Sequence, residues 1–503
     1  SWTAIKDAVL EPLSTPLKDG SLLNYLRSQK DDPSARQAIS RSVDFHFLSQ
    51  VMISYNATNS STDRLIFDVL DLIENTYRVN MSVLFPVVWG EKSREIYQKR
   101  GQYGGTLSRT TPCQVLELLD GIRMWRTVLN HSRPSSNDNT GKAPLIYDVR
   151  FLLRAFLSLM HPGSELKYRS FVECNGLSLA FSCTSSRDLS VRKLAYCVLQ
   201  SFLSLMQELD VDAVEDRCKY LYIYILRLFK QSIEGVAPRL SHIVSHFFAR
   251  LSKLCLHPES PLFTPVLSFL SLKPIIDLNN VPELYKLLLS SSTDHHNQER
   301  EWILTLISEG LIEPMDYNLL QNRSGIKLLI SLFPTCMVDM ASRRLILSIL
   351  KSAVQMPSVA HDLFYRMNLH SWIASIITDS SISPWERCYL GQIYSILIES
   401  ERKHCRRSTD IPEHGYNVAY TTVRITSRVV LLAMNSLSDK FIAVENIEAI
   451  QSTIEAKWRP KATDKVIISD WISSYFRFCH IITNILLFIP FFVELYVVDV
   501  IVG

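Results

Sequence analysis

Apolar residues in this chain advance by three and then by four. Ile66, Val69, Leu70, Ile73 and Tyr77 make one such stripe, and Val149, Leu152, Leu153, Phe156, Leu157 and Met160 make another. The pattern returns at Ala195, Val198, Leu199, Phe202, Leu203 and Met206, and again at Leu221, Tyr224, Ile225, Leu228 and Phe229. Later stripes are Ile303, Leu306, Ile307, Gly310 and Leu311; Ile346, Ile349, Leu350, Ala353 and Val354; and Leu390, Ile393, Tyr394, Leu397 and Ile398. This spacing places each set on one face of an α-helix, so the chain reads as all-α. Alternating, strand-like patterning is convincing only around Val497 to Val502.

The stripes recur about every 20–25 residues, so a pair spans about 40–47 residues, the period of HEAT and armadillo repeats. The pattern therefore predicts a HEAT/armadillo-like helical-repeat solenoid, in which each pair buries its face against the next. No repeat consensus is sharp enough to count units, and an irregular helical bundle is the rival arrangement. Turn signals at His161-Pro162-Gly163, His257-Pro258, Ser260-Pro261 and Ser383-Pro384 separate the stripes. The expected organisation is helical repeats over 1–130 with a basic segment at 92–109, then a helical-repeat solenoid over 145–398. A basic loop at 399–417 and a C-terminal helical region at 418–503 with an apolar tail follow.

Composition sharpens this. Of 503 residues, 47% are hydrophobic and 20% charged, which is enough apolar material for a core and excludes a wholly disordered chain. Only 15 are Gly, which disfavours Gly-rich cofactor folds. The net charge of +3 is nearly neutral at this length. A protein that wraps nucleic acid with its whole surface is strongly basic, so any RNA contact here is expected to be local. None of the ten Cys forms a C-x-x-C pair, and Cys197 and Cys218 fall inside helical patterns. They read as small buried hydrophobes in a reducing compartment. The Asn-x-Ser/Thr triplets at Asn56 and Asn80 would matter only in a secreted protein. No signal peptide is visible, and the first Met is Met52, so the sequence reads as a piece of a longer protein.

Candidate chemistry is sparse. There is no P-loop, no G-x-G-x-x-G, no G-x-S-x-G and no H-E-x-x-H. His242 and His246, four apart, could present two imidazoles to a metal, but no third ligand is evident, and two histidines on a repeat helix explain them as well. His295 and His296 lie in a polar turn. The expectation is no catalytic residue, no cofactor, no metal and no small-molecule substrate. The segment from Lys92 to Arg109 is the best candidate for a binding surface. It carries Lys92, Arg94, Lys99, Arg100 and Arg109, with Tyr97 and Tyr103 interleaved. Cations can hold phosphates while aromatics stack on unpaired bases. A solvated helix face leading to a Gly turn would look the same. Arg406 and Arg407, in the 399–417 stretch, have the same dual reading. At the C-terminus, Ile481 to Val493 lacks charge, but Pro490, Glu494 and Asp499 interrupt the apolar stretch. A span needs about 20 apolar residues, so a buried helix or strand is expected in preference to a membrane anchor.

One region is more specific. The run from Asp277 to Gly310, DLNNVPELYKLLLSSSTDHHNQEREWILTLISEG, resembles the C-terminal domain of the nucleolar pre-ribosomal-associated protein 1 family. That family has a leucine-rich helix, a "DLN-VP-FY" turn, a polar segment and a Trp-bearing helix ending in Gly, in this order. QYGGTLS at Gln102 to Ser108 and YDVRFLLRAF at Tyr147 to Phe156 are similar to two further family segments, with Val149 where Pro is usual. KLAYCVLQSF at Lys193 to Phe202 and the stretch from Gly325 to Ile377 extend the resemblance, which covers roughly 65–378. It implies a nucleolar scaffold in early large (60S) subunit assembly that holds assembly factors and pre-rRNA within pre-60S particles, and it supplies no active-site residues. A protein-binding helical-repeat adaptor in transport or trafficking is the alternative. Trp302 is expected to be a core residue beside Ile303 and Leu306.

Overall fold

The computed structural model describes residues 2–10, 15–84, 87–102, 111–133, 145–161, 163–208, 217–270, 274–290 and 294–407. The fold is all-α, as the stripes predict. Among the described residues, the one extended pairing outside helices is an isolated antiparallel bridge between Thr58 and Tyr147. The chain divides into two compact units, 1–312 and 313–503. That boundary falls inside the 145–398 stretch, which the sequence reading treats as continuous.

In the first unit, helices start where side chains can cap them. Asp44, Asp120 and Asp148 each accept a backbone N–H from the first turn that follows. Such caps satisfy amide groups that have no intrahelical partner. The stripes at Ile66–Tyr77 and Ala195–Met206 are buried as expected, and so are Ile303, Leu306, Ile307, Gly310 and Leu311. One register is corrected. In helix Arg217–Ser232, Tyr222, Ile225, Leu226 and Phe229 face inward, whereas Tyr224 is exposed. The Tyr222 hydroxyl donates to the Ser252 carbonyl at 2.7 Å. Trp302 is also corrected. It is half-buried, at the edge of its helix's inward face, and meets Phe247 edge-on at 5.8 Å. Cys197 lies on the exposed face of its helix, while Cys183 and Cys255 are buried.

Helix His242–Leu254 occupies the centre of this unit. All of its residues except Arg250 and Lys253 are buried, Ser245, His246 and Ser252 included. It packs on helices Gly176–Cys183, Gly121–Asn130, Tyr168–Glu173 and His296–Gly310. Enclosure by helices from four places in the sequence differs from a one-dimensional stack, where each repeat meets only its neighbours.

In the second unit, helix Met340–Val354 begins at Asp339, which accepts from the Ser342 N–H at 3.3 Å. It packs on helices Pro357–Tyr365 and Pro384–Arg407. The stripes at Ile346–Val354 and Leu390–Ile398 are buried. Helix Pro384–Arg407 continues through Arg407. Residues Glu399 to Arg407, expected to open a basic loop, are instead its last turns, helped by a Lys403–Glu399 pair at 2.7 Å one turn apart. The rest of that loop, and the 418–503 region with its apolar tail, lie outside the described residues.

Close packing at the central helix gives a direct test. A Cβ on Gly310 would sit 2.8 Å from the Ile243 Cα. Backbone cannot step aside as a flexible side chain can, so Gly310→Ala should cost about 1–3 kcal/mol of stability by overpacking. Gly121→Ala, where nothing lies within 4 Å, serves as the control and should be close to neutral. Denaturant unfolding of both variants measures the difference.

Candidate functional site

The basic segment is only partly a surface. Helix Arg94–Gln102 presents Lys92, just before it, and Lys99 to solvent. Arg94 is half-buried and pairs with Glu91 at 3.2 Å. Tyr97 is buried, and its hydroxyl donates to the Val88 carbonyl at 2.5 Å. Its ring meets Phe45 edge-on at 6.0 Å. Tyr97 is therefore core and is not available to stack on a base. Arg100 is buried too, and loss of solvent pulls its pKa below the ordinary guanidinium value. The reason is helical register: positions 93, 97 and 100 share the inward face, so a cation and an aromatic read as surface chemistry lie beneath it. Arg109 and Tyr103 lie outside the described residues. Arg406 and Arg407 end helix Pro384–Arg407, and their side chains are likewise outside the description. The structure thus leaves Lys92 and Lys99 exposed, with Arg94 half-buried beside Glu91.

The densest polar chemistry is inside the first unit. Helix Gly176–Cys183 is wholly buried and lies against helix His242–Leu254 along hydroxyl-bearing faces. Ser178 donates to the Ala249 carbonyl at 2.9 Å and sits 3.1 Å from the Ser252 hydroxyl. Thr184 and Ser245 hydroxyls meet at 2.9 Å. On its other side Ser182 donates to the Val128 carbonyl at 2.7 Å, tying in helix Gly121–Asn130. Small side chains let these helices approach, and each hydroxyl finds a partner, which a buried polar group requires.

His242 and His246 belong to this interior. With His131, just past helix Gly121–Asn130, they form a group of three imidazoles close enough to repel one another when charged. Both ring nitrogens of His246 lack a hydrogen-bond partner among the described residues, and His131 approaches the Val128 carbonyl at 3.3 Å. Burial, followed by the neighbouring His242, pushes His131 down to about 4 and His246 well below its ordinary value of 6.5. Arg250 and Arg133 add to the opposition at His246. Arg250 pairs with Glu309, and Arg133 donates to the Glu309 carbonyl at 3.2 Å. Among the described residues, no group of three or more His, Cys, Asp or Glu is arranged to hold a metal. His295 stands at the start of helix His296–Gly310, where its side chain makes no capping hydrogen bond. No described helix is long and apolar enough to cross a membrane.

Among the charges held in the interior that were not singled out in the sequence, two arginines join elements. Arg300 donates to the Leu288 and Ser290 carbonyls at 3.1 and 3.2 Å, joining helix Leu284–Leu288 to helix His296–Gly310. In the second unit, Arg343 pairs at 3.5 Å with the buried Glu386, which also accepts from Ser383 at 2.8 Å. Both arginines stand three residues before an inward isoleucine, Ile303 and Ile346. A charge in register with an apolar stripe was the available signal.

The imidazole group predicts acid sensitivity. The folded-state pKa values of His131 and His246 lie below the unfolded value of 6.5, so the neutral rings favour the fold above that pH. Below it the unfolded chain takes up protons first, and stability falls by about 1.4 kcal/mol per pH unit for each such histidine. The loss runs from pH 6.5 towards 4 for His131. His246→Gln removes one titrating ring and should flatten the fall measured by thermal unfolding between pH 7 and pH 5. An unchanged slope would contradict the assignment.

Comparison with known proteins follows the same region. The profile of the family described as nucleolar pre-ribosomal-associated protein 1 matches residues 177–372. Human nucleolar pre-ribosomal-associated protein 1 is 26% identical over 360 residues, covering 68% of this chain, and the mouse protein is 25% identical over 362 residues, also 68%. The chain spans about 15% of the length of these relatives. No solved structure matches. The matched span holds the hydroxyl-lined helix pair, Arg300 and the Arg343 helix, and over it this chain is similar to the nucleolar pre-ribosomal-associated protein 1 family.

Proposed function

We propose that this chain is a nucleolar scaffold in early assembly of the large (60S) ribosomal subunit, without catalytic activity of its own. It holds assembly factors, and pre-rRNA within pre-60S particles, on the outer faces of its helices. The observation that carries this reading is the similarity to relatives named for nucleolar pre-ribosomal association, spread over 68% of the chain. The physical construction supports it. Buried polar groups in the first unit are spent on helix–helix contacts, as at Ser178, Thr184 and Arg300. A core tied in this way keeps outward surfaces in fixed positions. Away from the enclosed central helix, the recurrence of apolar stripes supports a HEAT/armadillo-like order of helix pairs, which builds extended binding surfaces. Pre-rRNA contact falls to Lys92, Arg94 and Lys99, with Arg109, Arg406 and Arg407 as further candidates. Arg100 is withdrawn from that set because it is buried.

The test is sedimentation of the tagged chain from nuclear extracts, combined with crosslinking to RNA. The chain should travel with large-subunit precursors and concentrate in nucleoli. Lys92→Glu with Lys99→Glu should lower RNA crosslinking severalfold while leaving sedimentation intact. A chain that stays out of these particles and travels with transport or vesicle fractions would favour the protein-binding adaptor instead.

A further inference from the structure

The second unit carries an outward seam that the packing of its core does not explain. Helix Pro384–Arg407 places Trp385 and Tyr389 one turn apart, their rings stacked at 5.2 Å. Helix Met340–Val354 lays a cation on each: the Arg344 guanidinium is 5.3 Å from the centre of Trp385, and the Lys351 ammonium 5.0 Å from that of Tyr389. Lys351 also donates to Gln392 at 3.3 Å. Met340 continues the line, 47% exposed, and Trp385 is 36% exposed.

The charges here are held but not neutralised. Helix Met340–Val354 contains Arg343, Arg344 and Lys351 and no carboxylate. Arg343 turns inward to the buried Glu386. Neither Arg344 nor Lys351 has a carboxylate partner among the described residues. Stacking on an aromatic ring fixes a cation in place without cancelling its charge. An ordered pair of positive charges with apolar surface between them calls for a partner that is acidic and apolar at once.

We propose that this seam docks an acidic, amphipathic helical segment of a protein partner. The inference deepens the scaffold reading and rests on it. Trp, Tyr, Met and Arg are the residues enriched at protein interfaces and at their energetic centres. Arg344 and Lys351 are seven residues apart, about 10.5 Å along the helix, which matches carboxylates two turns apart on a helical ligand. Apolar residues of the ligand would meet Trp385 and, one turn beyond the Arg344 end, Met340. RNA fits less well. Base stacking needs an open ring face, whereas Trp385 and Tyr389 already engage each other and one cation each.

The experiment uses the full chain and two fluorescent probes, a peptide of about 16 residues built from Glu, Leu and Ala with Glu two turns apart, and a uridine oligomer of similar length. Fluorescence anisotropy should show salt-sensitive peptide binding, weakened about tenfold or more by Arg344→Glu with Lys351→Glu. A peptide with Lys in place of Glu should regain affinity for that double variant, which a merely structural seam would not produce. Arg344→Gln with Lys351→Gln, less disturbing to packing, should give an intermediate loss with unchanged thermal unfolding. Absence of peptide binding, or binding indifferent to both double variants, overturns the proposal. So does loss of oligouridine binding in those variants with peptide binding intact. A chain that binds the peptide yet stays out of pre-ribosomal fractions defeats the scaffold reading. A double variant that enters those fractions at normal levels without binding the peptide defeats the seam's role there.

Discussion

The contact between helices Gly176–Cys183 and His242–Leu254 is the constraint on which the first unit depends. Two buried helices meet through serine and threonine, with Ser178 against Ala249 and Ser252 and Thr184 against Ser245. Hydroxyls in a dry interior are tolerated only when paired, so this contact fixes the helices' register as well as their distance. A purely aliphatic interface of similar size could slide by a turn at small cost. Here a slide would orphan several polar groups together. The tight approach of Gly310 to Ile243 extends the same demand to helix His296–Gly310.

From this follows the distribution of charge. Ionisable groups that enter the core do so in ways that join elements. Arg300 links the short helix Leu284–Leu288 to its successor through backbone carbonyls, and Arg250 joins the central helix to Glu309. Arg250 and Lys253 also lie 5.5 and 5.4 Å from the Trp125 ring centre, so the central helix grips helix Gly121–Asn130 from the outside as well. His131 and His246 are the exception, because exclusion from water holds them towards the neutral form. Cations left on the outside, in the Lys92 segment and along the Arg344 face, are then the groups free to meet partners.

Much of the fold was legible in the sequence because helical packing writes a period into the chain. The stripes from Ile66, Ala195, Ile303 and Ile346 all face inward. The failures have physical causes. Tyr222 takes the inward position and donates to Ser252 of a distant helix, while Tyr224 reaches the Leu270 carbonyl from the exposed face. Trp302 sits at the rim because its ring spans from Phe247 to solvent. Tyr97 and Arg100 read as surface because a short helix with few aliphatics hides which face is inward. Serines 178, 245 and 252 gave no signal at all, since a buried hydroxyl and a solvated one look alike until the partner helix is in place. The division at residue 312 was equally silent, lying between apolar stripes of the same kind.

The central claim is that the hydroxyl-seamed helix pair is the last part of the first unit to open. Native-state hydrogen exchange on the full chain tests it most directly. Amides from Ser245 to Ser252 should exchange only through global unfolding of that unit, and Ser178→Ala should speed them together with those of helix His296–Gly310. Exchange of the Ser245–Ser252 amides as fast as those of the peripheral helix Trp2–Leu10, with other helices still protected, would contradict the account.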